Sequence, residues 1–88
     1  MSLIITSSLD WDKSKDNLMS RARKLNSAKD MNRLVANIDA LVQKLSMAEV
    51  HARRNHDKPS RNAAYLLEQV NTEIINLDKM LFFAALYK

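Results

Sequence analysis

The densest chemistry in the chain lies in His51-Ala-Arg53-Arg54-Asn55-His56-Asp57-Lys58-Pro59-Ser60-Arg61, where four formal positive charges stand against one negative. Arg53, Arg54 and Arg61 offer planar forks of N–H donors, and Lys58 offers a compact ammonium. Such a set suits the oxygens of a phosphate. A helix beginning near Ser60 would add its first amides and the positive end of its dipole. One expectation is therefore an anion-binding site at Arg53, Arg54, Lys58 and Arg61, serving nucleic acid or a nucleotide signal. The competing explanation is that the negative end of any helix selects basic residues for its last turn. A second basic group, Arg21, Arg23, Lys24 and Lys29, has the same two explanations.

Catalysis finds less support. His51 and His56 are five apart and so do not share a helical face, as a metal-ligating pair three or four apart would, and no metal site is expected. The chain has no Cys, which removes thiolate nucleophiles, disulfides and Cys-type zinc sites together. Helical ribonucleases use an Arg and a His four to six residues apart, whereas Arg53 and Arg54 precede His56 by less than that. Asp10, Asp12, Asp16, Asp39, Glu49, Glu68, Glu73 and Asp78 are spread along helix faces, the ordinary solvated arrangement. Neither an enzyme nor a cofactor is expected. Met47-Ala-Glu-Val50 followed by Ser60-Arg-Asn-Ala-Ala-Tyr-Leu-Leu67 resembles the halves of a helix-turn-helix DNA reader, with Arg61, Asn62 and Tyr65 facing the bases. That motif needs apolar residues to lock its turn at a steep angle, and positions 51–62 offer only Ala52 and Pro59.

The elements that would carry these residues follow from composition and period. Eighty-eight residues, 47% apolar and 27% charged, with no Gly and one Pro, describe a single all-α domain with a formal charge of +4. Residues 1–8 read as a flexible leader. A first helix over 9–25 starts at Ser7, Ser8, Asp10 and Asp12 and buries a thin stripe of Trp11, Leu18, Ala22 and Leu25, with Met19 beside it and a gap at Ser14 and Lys15. Trp11 reads as a packing residue. Ser27-Ala-Lys-Asp30 has capping-box spacing and opens a second helix over 28–55. Its apolar seam is Met31, Leu34, Ile38, Leu41, Leu45, Ala48 and Ala52, widened by Val35 and Val42. Pro59 marks the turn, and a third helix over 60–87 follows with Ala63, Leu67, Val70, Ile74, Leu77, Leu81 and Ala84. The last two helices, each about 42 Å long at 1.5 Å per residue, predict an antiparallel hairpin of which the first helix covers about 25 Å. The expected architecture is a three-helix bundle, oligomeric because apolar surface is left over.

The excess is concentrated in Met80-Leu-Phe-Phe-Ala-Ala-Leu-Tyr87, where successive apolar residues point all round the helix. Either Leu25, Trp11 and Leu3-Ile4-Ile5 wall them in, or Met80, Phe82, Phe83, Leu86 and Tyr87 form a surface for a protein partner or a second copy. This run is eight residues where a membrane span needs about 20, so no membrane partner is expected. The N-terminus has no basic region of a secretory signal, and a cytoplasmic location is expected. With Leu66-Leu-Glu68 and Glu73-Ile-Ile-Asn-Leu77 ahead of Phe82-Phe83, the chain is similar to small type III secretion chaperones. That resemblance implies binding of a partner protein and carries over no functional residue. Small helical phage proteins that sequester cyclic nucleotides share the scale.

Overall fold

The computed structural model describes residues 4–54 and 61–87, Arg54 by its backbone alone. A single 3-10 turn, Ser8–Asp10, leads into α1 (Trp11–Lys24), α2 (Ala28–Arg54) and α3 (Arg61–Leu86), and no strand occurs among the described residues. The three helices form an all-α bundle in which α2 runs antiparallel to both of its neighbours. Its principal extents are 50 × 19 × 17 Å, and the radius of gyration is 14.3 Å. A compact chain of this length would have a radius of gyration of about 12 Å, so the bundle is a rod.

Periodicity explains the core. Trp11, Leu18 and Ala22 of α1 meet Met31, Val35, Ile38, Val42 and Leu45 of α2 and Ala63, Leu66, Val70, Ile74, Leu77 and Leu81 of α3. The deepest seam of α2 is thus Met31-Val35-Ile38-Val42-Leu45, while the expected Leu34, Leu41 and Ala48 are only partly buried. On α3, Leu66 replaces Leu67 in the core, and Ala84 is exposed. The cause is α1: it draws the centre of each apolar stripe toward the junction of three helices rather than the contact line of two. The apparent gap in α1 is filled by Ser14, small enough to be buried between Trp11 and Leu18 on the same face.

Helix ends depart from expectation in two places. Ser27 does not cap α2 with its hydroxyl, which donates instead to the Leu25 carbonyl at 3.3 Å. α1 is stopped by Asn26 at φ 57°, with the Ser27 amide donating to Ala22 O at 2.8 Å and the Asn26 amide to Arg23 O at 3.2 Å. This is the left-handed stop that Gly usually supplies, and Asn is the next best residue for it. Nor does Ser7 cap the 3-10 turn with its side chain.

The chain ahead of α1 prolongs its cover over the hairpin. Ile5, expected within a flexible leader, is buried, and its amide and carbonyl are clasped by the Asn71 side chain at 2.8 and 2.9 Å. The Ser8 amide and hydroxyl both donate to the Glu49 carboxylate. Trp11 Nε1 donates to Asp39 Oδ1 at 2.6 Å, and Lys15 pairs with the other oxygen at 3.0 Å. Arg21 pairs with Asp78 at 2.6 Å and closes the far end.

Candidate interaction surface

The last three turns of α3 decide which side chains are left in water. Leu77 and Leu81 point into the core, which fixes the rotation of the helix and turns its neighbours outward. Met80, Phe82, Phe83, Leu86 and Tyr87 are 53, 56, 53, 63 and 89% exposed. The Phe82 and Phe83 rings meet edge to face with centroids 5.8 Å apart, splayed to either side of Leu81. Candidates for covering them lie elsewhere. Trp11 is hydrogen-bonded to Asp39 midway along α2, Ile5 is held by Asn71, Ile4 is itself half exposed, and Leu25 packs at the margin of the core. Leu3 lies outside the described residues. The leftover apolar surface expected from sequence is therefore present, carried by the five residues expected to carry it.

Two subsets of this surface face different ways. Ile75, Phe82 and Leu86 follow one another at seven and four residues and make an outward stripe. Met80 borders the contact of α3 with the start of α2, beside Met31, Leu34 and Ala84.

The basic turn is only partly described. Arg53 is exposed in the last turn of α2, and Arg61 is exposed at the first position of α3. The side chain of Arg54 and all of Lys58 lie outside the described residues. Of the second basic group, Arg21 is committed to Asp78, while Arg23, Lys24 and Lys29 are exposed. α2 and α3 lie side by side from Met31 and Leu81 at one end to Ala48 and Leu66 at the other, which is a parallel-sided hairpin rather than the steep crossing of a helix-turn-helix. Within it Tyr65 accepts a hydrogen bond from Gln69 Nε2 at 3.0 Å. No group of three or more His, Cys, Asp or Glu that could hold a metal ion occurs among the described residues. No helix among them is long and apolar enough to cross a membrane.

Sequence reasoning missed the long-range polar contacts. Asp39, Glu49, Asn71 and Asp78 look like solvated helix residues, yet each receives a hydrogen bond from α1 or the chain before it. Asp10 receives the Thr6 hydroxyl at 2.8 Å and the Thr6 amide at 3.1 Å. These bonds, the hydroxyl first, hold its carboxyl below the ordinary value of 3.8. The chain matches no family model, no curated protein and no solved structure.

Proposed function

We propose that this chain is a non-catalytic helical interaction module, of adaptor, chaperone or regulator type, that binds protein through the apolar end of α3. The observation that carries this reading is the clustering of Met80, Phe82, Phe83, Leu86 and Tyr87, all more than half exposed, at the end of α3, whereas other exposed large apolar residues such as Leu9 and Met47 are scattered along the chain. The five side chains together expose on the order of 500 Å², divided between two faces of the helix, where the largest single apolar patch of a typical monomer is about 300–600 Å². Covering it contributes ~12 kcal/mol gross at ~25 cal/mol per Å², against an association cost of ~4–15 kcal/mol. The patch is thus sufficient to anchor a complex and too small to be the whole of a tight one.

The test is native mass spectrometry of the purified protein with whatever co-purifies, beside a Phe82→Asp, Phe83→Asp variant. The unmodified chain is expected in a complex, with itself or with a protein, that survives added salt. The variant is expected to release a bound partner protein while staying helical by circular dichroism. A partner protein retained in full by the variant overturns the reading. A bound polyanion lost steeply as salt is raised favours the basic turn at Arg53, Arg54, Lys58 and Arg61 instead.

A further inference from the structure

α1 covers one side of the α2–α3 hairpin, and the opposite side is an open groove along most of its length. Three concavities lie head to tail in it. The first is bounded by Met31, Leu34, Met80 and Ala84, the second by Asn37, Leu41, Gln69 and Thr72, and the third by Lys44, Ala48, His51 and Asn62. Leu34, Leu41 and Ala48, seven residues apart, form a partly buried apolar line along the α2 wall. This is the place a further helix pair would occupy in a four-helix bundle.

We propose that a second copy of this chain occupies the groove, face to face, about a two-fold axis parallel to the helices. The result is a four-helix core of two hairpins with each α1 on the outside. It goes beyond the reading above, since of the five residues at the end of α3 only Met80 lines the groove.

Size complementarity is the first support. The α3 wall carries the large side chain Tyr65, whereas the α2 wall at the same level carries the small Ala48. A parallel two-fold lays each α3 over the other copy's α2, so Tyr65 of each copy lies over Ala48 of the other. Every neighbouring pair of helices is then antiparallel, the arrangement that helix dipoles favour.

Charge is the second. Lys44 on α2 and Glu68 on α3 flank Tyr65 on opposite walls, and neither belongs to the Lys15–Asp39 or the Arg21–Asp78 pair. The parallel two-fold sets Lys44 of each copy against Glu68 of the other, giving two equivalent pairs. A perpendicular two-fold would lay α3 on α3 and bring Glu68 toward the second copy's Glu73, a like-charge contact at both ends. The stripe of Ile75, Phe82 and Leu86 lies outside the three concavities and is no part of this interface.

Sedimentation equilibrium of three full-length proteins and one mixture tests the arrangement. The unmodified chain is expected to dimerise, and Lys44→Glu and Glu68→Lys alone are each expected to weaken dimerisation roughly tenfold or more, because each sets two like charges against one another. Mixed together, the two variants restore both pairs and are expected to recover the dimer as a heterodimer. Both positions are exposed, and circular dichroism checks that the variants stay folded. A monomeric unmodified chain overturns the proposal, as does a mixture no tighter than its components. Stronger dimerisation of Glu68→Lys alone points to the perpendicular axis and overturns it too. In each of those outcomes a complex that Phe82→Asp, Phe83→Asp abolishes still supports a binding role for the end of α3.

Discussion

The two long sides of the α2–α3 hairpin are made from the same pair of helices and are finished in opposite ways. On the α1 side, four helix polar groups are each met by a donor: Asn71 by Ile5, Glu49 by Ser8, Asp39 by Trp11 and Lys15, and Asp78 by Arg21. No buried side-chain polar atom among the described residues lacks a partner. On the other side Leu34 and Leu41 are only partly covered, Met80 and Tyr65 are more than half exposed, and Lys44 and Glu68 are unused by either ion pair. The contrast teaches that one hairpin can be finished in two ways, with polar groups met by donors on the α1 side and with apolar and charged groups left in water on the other, the side that the proposed dimer would cover.

Breaking the sealed face has the largest expected effect. Trp11→Ala removes a buried indole and Asp39's shortest donor, an expected loss of about 3–5 kcal/mol, and a chain this size has little more than that to lose. Thermal denaturation followed by circular dichroism should show the variant largely unfolded at room temperature. Asn71→Ala removes both bonds to Ile5 and is expected to cost about 1–3 kcal/mol in urea titration. Hydrogen exchange should then show the segment around Ile5 losing protection while α2 keeps its own; unchanged protection there would mean that burial of Ile5 alone seats the segment. Met80→Ser, on the open face, is expected to change monomer stability by no more than about 0.5 kcal/mol at concentrations below association. A loss like that of Asn71→Ala would show that the end of α3 is part of the monomer's core.

The smallest effect sharpens the comparison at the exposed start of the chain. Thr6→Ala removes the hydroxyl that does most to hold Asp10 below 3.8, so the carboxyl should titrate higher in that variant by NMR. Because the folded-state value is the depressed one, Asp10's contribution to stability is present above the unfolded value near 3.8 and is lost as pH falls through the folded one. The variant should lose that part of the acid dependence and keep the rest.

What the sequence makes legible is what periodicity carries. Helix count, hairpin direction and the spare apolar surface follow from spacing, and the surface is the clearest because eight consecutive apolar residues from Met80 to Tyr87 cannot all face one core. Depth within a stripe is less legible. Leu34 and Val35, or Leu66 and Leu67, are equivalent to a period of 3.6, and only the landing place of α1 decides that Val35 and Leu66 go deepest. Least legible are the bonds to Asn71, Glu49 and Asp39, since a polar residue that will be met by a distant donor has the same pattern as one that faces water. The left-handed stop at Asn26 is hidden likewise, because the chain uses Asn where Gly would have announced it.

The open face is tested most directly by the mass of the unmodified chain as a function of concentration, measured by sedimentation equilibrium. A rise from the chain mass of 10.1 kDa to twice that value is the expected result. A mass fixed at that of one chain across the whole range would contradict the face-to-face dimer.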